Sequence, residues 1–342
     1  MFTRRLLCVF GLLVLLPPVL WAAPAYTLTD LGPVLALGLD EDGTVVGSTL
    51  TPSQEAALLT PQVQPLTTLG GLANGLARGR VVGYSQFDRG GPILVTHAFR
   101  WTATGGLQDL GTLSDPTLFS AATGIAPRGL VVGYAEDATV TSQPCVWQGL
   151  TPHVLPTLGG ATGFADAVNV GGIIVGQSET LHETLHATMW VMGFPIDLDT
   201  TGGPWSLARA INGQGVVVGD ATFATGAHAF VWTLWQGLRD LGTLPGDVTS
   251  VATGVNAHGV IVGASTDGGT AWTFPVSRAT RWHQGQIVAF DTLVDAPGWT
   301  LEWAHAINGA GMIVGQGHVD GEAHAFLLTP ILQAWARRQR SR

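Results

Sequence analysis

A motif of two apolar, mostly β-branched residues followed by glycine returns seven times along this chain. The motif glycines are Gly47, Gly83, Gly133, Gly176, Gly219, Gly263 and Gly315, one copy in about every 45 residues. Recurrence at this interval is the signature of a modular repeat fold. The chain is therefore predicted to contain seven equivalent units.

Each unit contains four short apolar segments in a constant order, which we name A to D. Segment A ends in a turn, as in ARAINGQG from Ala208, where Asn and the Gly three residues later fit a type I turn. Segment B carries the glycine motif, segment C reads HAFxW, and segment D reads DLGTL. Four short strands with connections of unequal length are typical of the blade of a β-propeller.

The two ends of the chain predict how the ring closes. YTLTDLG from Tyr26 is a segment D with no segment C before it, and HAFLL from His324 is a segment C with no D after it. The N-terminal strand should therefore join the last blade, which removes exposed sheet edges. The predicted fold is all-β, a closed seven-bladed propeller of four-stranded blades over residues 26–332.

Residues 1–25 read as a secretory signal peptide. Arg4 and Arg5 precede an apolar run, and Ala23-Pro24-Ala25 resembles a cleavage site. We therefore expect cleavage near Ala25 and a secreted or periplasmic product. The rest of the chain has no further apolar stretch long enough to span a membrane, and residues 333–342 form a basic tail.

Charge argues against a nucleic-acid partner. All basic residues are arginines, and six of the 15 lie in the first five and last six positions, whereas 24 acidic residues are spread over the body. A body this acidic disfavours nucleic acid and anionic membranes.

The motifs HAFxW, DLGTL and AINxxGxVVG resemble those of the HAF-repeat family of bacterial extracellular repeat proteins. The resemblance covers nearly all of residues 26–332 and implies secretion and a repeat fold, without an established activity. The first and third copies, EAALL and QPCVW, lack the HAF triplet. The triplet is therefore not an obligatory functional unit of every blade.

The D-to-A connections and B-to-C loops should emerge on one face of the ring, the long-loop face. The A-to-B and C-to-D turns should form the other, the hairpin face. The B-to-C loops include SQFDRGGPILV (85–95) and ASTDGGTAWTFPVS (264–277), and long loops on a rigid scaffold carry function. Aromatic residues of this face could stack on sugars or apolar side chains, or could simply cover gaps between blades: Phe87, Phe119, Phe164, Trp205, Phe223, Trp272, Phe274 and Trp299.

One position of segment A varies between copies, with only threonine occurring twice. The equivalent residues should surround the central opening: Leu37, Asn74, Thr123, Asp166, Arg209, Thr253 and His305. Variation within a repeated frame indicates either a site or tolerance, and Asp166 and Arg209 could simply pair. The candidate ligand-binding residues are the six polar members of this set together with Trp205, Trp272 and Trp299.

No metal, cofactor or catalytic motif is predicted. The histidines of HAF (His97, His186, His228 and His324) lie in different blades and should bond a neighbouring strand or loop. HETLH, residues 182–186, is one residue short of the zinc motif HExxH and falls in a loop and a strand. Cys145, the one cysteine outside the signal segment, should be inert within segment C.

These observations predict an exported, non-catalytic binding module that recognises a glycan, a peptide or a cell-envelope protein through its long-loop face. The alternative is a glycan-active enzyme, a lyase or hydrolase, at the mouth of the channel. There Asp166 would act as acid, Arg209 as charge stabiliser and His305 as base. A purely structural surface protein is the third possibility.

Overall fold

A computed structural model describes residues 25–50, 54–90, 93–198, 203–268 and 276–331. These residues form seven four-stranded antiparallel sheets, and within each sheet the strands follow the order A to D. The all-β seven-bladed propeller predicted from the sequence is confirmed. The predicted signal peptide, apart from Ala25, and the basic tail lie outside the described residues.

The strands of the first six blades, each written from A to D, are as follows. Blade 1 contains β2 (Val34–Leu39), β3 (Val45–Thr49), β4 (Ala56–Leu58) and β5 (Gln64–Pro65), and blade 2 contains β6 (Gly71–Ala77), β7 (Arg80–Phe87), β8 (Val95–Thr102) and β9 (Gly106–Asp109). Blade 3 contains β10 (Ser120–Ile125), β11 (Val131–Glu136), β12 (Ser142–Gln148) and β13 (Thr151–Val154), and blade 4 contains β14 (Gly159–Val168), β15 (Ile174–Thr180), β16 (Leu185–Val191) and β17 (Phe194–Asp197). Blade 5 contains β18 (Ser206–Ile211), β19 (Val217–Phe223), β20 (Gly226–Thr233) and β21 (Gly237–Asp240), and blade 6 contains β22 (Thr249–Val255), β23 (Ile261–Thr266), β24 (Ser277–His283) and β25 (Gln286–Ala289).

Blade 7 joins the two ends of the chain. It contains β26 (Trp299–Ile307), β27 (Ile313–Val319), β28 (Glu322–Pro330) and, as its outer strand, β1 (Tyr26–Gly32). Strands β1 and β28 pair antiparallel from Tyr26 opposite Pro330 to Gly32 opposite Ala325. Tyr26 is buried and meets Phe290 of a short 3-10 helix, η1 (Phe290–Thr292), edge to face with ring centroids 5.7 Å apart. The predicted closure is confirmed.

The apolar core lies between adjacent blades. Between blades 4 and 5, Met189 packs with Ala208 and Phe230 in one buried cluster, and the innermost strands contact their neighbours all the way round the ring. The motif glycine allows each inner pair of strands to approach closely: a Cβ on Gly219 would stand 1.9 Å from the carbonyl oxygen of Leu207. This close approach explains why the motif needs glycine.

A chain of asparagines links the A-to-B turns on the hairpin face. The Asn212 side chain accepts hydrogen bonds from the backbone N–H groups of Gln214 and Val216, both at 3.0 Å, and donates to the carbonyl of Asn256 in the next blade, also at 3.0 Å. The same donation to the following blade occurs at Asn169, Asn256 and Asn308. The predicted turn asparagine therefore caps its own turn and also ties blades together.

The HAF histidines are structural, as predicted, but they act mainly within a blade. Each donates from Nδ1 to the carboxylate of the strand D aspartate, at 2.9–3.0 Å, in the pairs His97–Asp109, His186–Asp197, His228–Asp240 and His324–Asp30. The last pair joins the two ends of the chain. The histidine of the HAF motif and the aspartate of the DLG motif therefore hold strands C and D together.

Two predicted boundaries are wrong. Strand D ends at the aspartate of DLGTL instead of running through it, since Asp109 and Asp240 accept the N–H of the glycine two residues on, at 2.7 and 2.6 Å. Those glycines adopt positive φ and turn the chain. The long loop of blade 2 is shorter than expected because β7 continues to Phe87 and β8 begins at Val95.

Candidate binding site on the long-loop face

The seven variable positions of segment A share one local geometry. Each is the extra residue of a β-bulge in an innermost strand, where the register against strand B shifts by one: Leu37, Asn74, Thr123, Asp166, Arg209, Thr253 and His305. Bulges redirect a side chain away from the pleat. The sequence comparison therefore found a structurally equivalent ring of positions.

Three members of this ring are engaged in holding the blades together. Asn74 donates to the carbonyl of Ala122 at 2.8 Å, in the next blade. Thr123 and Thr253 donate to the equivalent carbonyls of Ala165 and Ala304, both at 2.6 Å. Their hydrogen-bonding capacity toward a ligand is reduced accordingly.

Asp166 and Arg209 come together with a third residue, Asp220, in a cluster that we name the charged mouth. Arg209 forms its ion pair with Asp220 of its own blade, so the simple Asp166–Arg209 bridge considered above is not the arrangement found. The Asp220 side chain is only 6% exposed, whereas that of Arg209 is 41% exposed. The guanidinium is thus anchored at a buried carboxylate and remains accessible.

Burial controls the protonation of the charged mouth. Desolvation raises the pKa of Asp166 to about 7; Arg209 opposes this shift and Asp220 adds to it. Desolvation likewise raises the pKa of Asp220, against the hydrogen bond from Arg209. Burial of both carboxyl groups, which the single cation between them offsets only in part, accounts for these directions.

His305 is separate from this cluster. Its ring stacks on Trp303, with centroids 6.4 Å apart and planes 8° apart, and burial lowers its pKa to about 4. The imidazole is neutral at neutral pH. It belongs to blade 7, three blades from Asp166 in blade 4, so the structure unites two of the three residues assigned to catalysis by the enzyme hypothesis.

Four rings form a continuous aromatic row beside the charged mouth. Tyr84 contacts Phe119 at 6.0 Å, Phe119 stacks on Tyr134 at 5.7 Å, and Tyr134 meets the edge of Phe164 at 4.9 Å between centroids. All four are half-buried. Desolvation raises the pKa of Tyr134, and Tyr84, Asp166 and Glu136 add to it, so Tyr134 is within electrostatic reach of Asp166 of the charged mouth.

A shallow cleft adjoins the first ring of the row. It has a volume of about 290 Å³ and is lined by Gln54, Gly70, Gly71, Tyr84, Gln86 and Thr96. Tyr84 therefore belongs to both the cleft and the aromatic row. Together these features extend from the B-to-C loop of blade 1 to blade 5.

Other predicted aromatic residues cover the scaffold. Phe87 and Phe223 lie against the HAF histidines of their own blades, at 6.0 and 6.2 Å between ring centroids. Trp299 contacts His324 and Phe326 at 6.2 and 6.4 Å. Trp205 is half-buried, whereas Trp272 and Phe274 lie outside the described residues.

Sequence reasoning missed Tyr84, Tyr134 and Asp220. Each directly follows a motif glycine on strand B, at a second position that varies between blades. The seven residues there are Ser48, Tyr84, Tyr134, Gln177, Asp220, Ala264 and Gln316. The buried Oε1 atoms of Gln177 and Gln316 have no hydrogen-bond partner among the described residues. Variation at this second position is the sequence signal from which Tyr84, Tyr134 and Asp220 could have been identified.

The long-loop face also exposes aliphatic side chains at its loop tips. Ile93 and Leu181 are 75% and 78% exposed. Further exposed residues of this face lie on B-to-C loops or D-to-A connections of several blades: Leu50, Leu69, Leu94, Val140, Val248 and Val276. The tips lie on the same face as Phe119 of the aromatic row, which stands in the D-to-A connection just before β10.

Carboxylates dominate the connections of the same face. Those in the D-to-A and B-to-C connections are Glu55, Asp88, Asp115, Asp137, Glu183, Asp247, Asp267, Asp291, Asp295 and Asp320. Arg89 is the sole arginine in the described parts of these connections, and it pairs with Asp109. The long-loop face is therefore acidic.

Metal binding and thiol chemistry find no support in the described part of the chain. No group of three or more His, Cys, Asp or Glu residues there could hold a metal ion. Cys145 is fully buried, and desolvation raises the pKa of its thiol to about 12, and both disfavour the reactive thiolate. Across the described ranges, no helix has the length and apolar character to cross a membrane.

Replacing Asp166 by Asn is expected to stabilise the protein above about pH 4, by an amount that grows until about pH 7. With a pKa raised from 3.8 to about 7, native Asp166 keeps a proton that the unfolded chain has lost, so stability falls as pH rises between these values. In urea titrations, we expect the free energy of unfolding of Asp166→Asn to exceed that of the wild type by on the order of 1–2 kcal/mol at pH 8. Near pH 4 the two should not differ. An equal difference at both pH values would contradict this account.

Comparison with known proteins gives distant structural similarity alone. No protein-family model and no curated protein matches the chain. A solved structure described as TolB from Agrobacterium tumefaciens is 11% identical with a TM-score of 0.46, covering 79% of this chain and 95% of that one. TolB from Acinetobacter baumannii is 12% identical with a TM-score of 0.46, covering 90% and 63%.

A sialidase from Trypanosoma rangeli is also similar in structure. It is 11% identical with a TM-score of 0.42, and the alignment covers 93% of this chain and 61% of the sialidase. The chain thus spans less than two thirds of the Acinetobacter and trypanosome proteins. The seven-bladed ring rests on the strand pairing of this protein itself.

Proposed function

We propose that this protein is a non-catalytic binding module that contacts its partner through the long-loop face. The observation that carries the proposal is the aromatic row from Tyr84 to Phe164 with the charged mouth beside it, on a face whose loop tips also expose aliphatic side chains. Apolar side chains that are grouped and solvent-exposed mark interaction surfaces. Loops held on a rigid scaffold are the usual place for such contacts.

The different roles of the repeated and the variable residues support this proposal. The residues repeated from blade to blade, such as the asparagine of the A-to-B turn and the HAF histidine, are occupied by scaffold hydrogen bonds. The residues that vary, such as Tyr134, Asp166 and Arg209, lie on the two inner strands of their blades, around the central opening of the ring. Variation is therefore concentrated where a partner would bind.

The partner is a glycan, a peptide or a cell-envelope protein. Aromatic rings such as Tyr134 and Phe164 can stack on sugar faces or on apolar side chains. The signal-like residues 1–25 support an exported protein, secreted or periplasmic, and the motif resemblance supports membership of the HAF-repeat family.

Two matched double variants test which face binds. We would probe peptide and glycan arrays with labelled wild-type protein, with Ile93→Ser/Leu181→Ser on the long-loop face, and with Phe194→Ser/Trp235→Ser on the C-to-D side. All four side chains are at least 72% exposed, so the variants should fold. We expect the loop variant to lose binding about tenfold or more and the other variant to keep it. The reverse pattern would refute the proposal.

A glycan-active enzyme is the second candidate, and the raised pKa of Asp166 is the observation that favours it. A carboxyl with a pKa of about 7 can act as a general acid at neutral pH. The neutral, distant His305 does not complete the proposed constellation. Turnover of a uronic-acid polymer that disappears in Asp166→Asn would favour this candidate.

A further inference from the structure

The two faces of the ring differ in charge. On the long-loop face, the described connections contain carboxylates and the single paired Arg89. On the hairpin face, Arg78 and Arg128 offset the acidic turn of residues 40–42. A face of one sign attracts and orients a partner of the opposite sign. The long-loop face is therefore complementary to a cationic partner.

The charged mouth has more carboxyl groups than cations. Arg209 is bonded to Asp220, and no described residue donates a hydrogen bond to the Asp166 side chain. When Asp166 is ionised, one of the two carboxylates has no directly bonded cation. An incoming guanidinium or ammonium group could fill that role.

The aromatic row supplies the second contact that a guanidinium needs. Tyr134 is close enough to Asp166 for the carboxyl to act on its pKa, and the Tyr134 and Phe164 rings meet at 4.9 Å. A planar guanidinium can stack on an aromatic ring while it donates to a carboxylate, which an ammonium does less well. Arginine therefore fits the site better than lysine.

The surrounding loop tips determine what kind of molecule could carry that arginine. Exposed aliphatic side chains, Ile93 and Leu181 among them, need apolar side chains opposite them. We propose that the long-loop face docks a basic polypeptide segment that contains apolar residues, with one of its arginines beside Asp166. This inference rests on the proposed function and names the chemistry of the partner.

A set of labelled peptides of about ten residues tests the inference by fluorescence anisotropy at pH 8.5, where Asp166 is ionised. The probes alternate leucine with arginine, lysine, serine or glutamate. We expect the arginine peptide to bind best, the lysine peptide more weakly, and the other two not at all. Binding should weaken as salt rises from about 0.05 to 0.3 M.

Two charge-matched variants locate the contact. Asp166→Asn should weaken the arginine peptide about tenfold, whereas Asp42→Asn, which removes the same charge from an exposed site on the hairpin face, should leave binding unchanged. Equal effects of the two variants would overturn the inference. So would binding of the serine peptide, or of neutral oligosaccharides, as tightly as the arginine peptide.

The outcome also separates this inference from the proposed function. If Ile93→Ser/Leu181→Ser abolishes array binding but the arginine peptide does not bind, the binding face stands and the basic partner is wrong. If the arginine peptide binds and only Phe194→Ser/Trp235→Ser removes it, both proposals are wrong.

Discussion

Deletion of residues 26–32 is expected to abolish cooperative folding of the ring. The deletion removes β1, exposes the edge of β28 along its length, and leaves Phe290 without its buried partner Tyr26. The loss should be on the order of 5 kcal/mol or more, a large part of the stability of a typical domain. We expect aggregation and no sharp thermal transition, measured by circular dichroism and size-exclusion chromatography.

Moving the same segment provides the control. Attaching YTLTDLG after Ile331 through a short glycine-containing linker should restore folding, because Tyr26 already lies opposite Pro330. The moved strand would then form an ordinary C-to-D hairpin. A deletion variant that remains monomeric and unfolds cooperatively at the wild-type temperature would contradict the closure mechanism.

Substitution of Asn212 by Ala is expected to cost about 2–4 kcal/mol of unfolding free energy. Asn212 is only 7% exposed. Its removal leaves the N–H groups of Gln214 and Val216 and the carbonyl of Asn256 without their partner. Chemical denaturation of purified wild type and variant measures the difference.

The neighbouring exposed residue supplies the matched control. Gln214 also reaches the next blade, donating to the carbonyl of Ala257 at 3.1 Å, but it is solvent-exposed. Gln214→Ala should therefore cost less than about 1 kcal/mol, because water replaces the lost partner. Similar losses in both variants would show that the buried asparagine chain does not tie the turns together.

The architecture could be predicted from the sequence because it follows from counting. Seven glycine motifs gave seven blades, and an unpaired segment at each end gave closure between Tyr26 and the strand of His324. Strand D was placed wrongly at DLGTL because its end depends on a side chain: Asp240 accepts the N–H of Gly242. Strand propensity contains no information about that bond.

The candidate site was predictable only in part. Alignment identified the bulge ring, including Asp166 and Arg209, since these positions vary within a regular frame. It could not show that Thr253 is bonded to the Ala304 carbonyl or that Arg209 pairs with Asp220. Both facts depend on distances between strands that only the folded ring determines.

The pairing of β1 with β28 also sets how the ring responds to mechanical load. The N-terminal end of one strand lies opposite the C-terminal end of the other, so tension applied at the two chain ends would open their hydrogen bonds one pair at a time. If the strands were instead pulled at ends that lie far apart, all of their hydrogen bonds would have to break at the same time. The seam between β1 and β28 is therefore expected to open before the other strand pairs when Tyr26 and Pro330 are pulled apart.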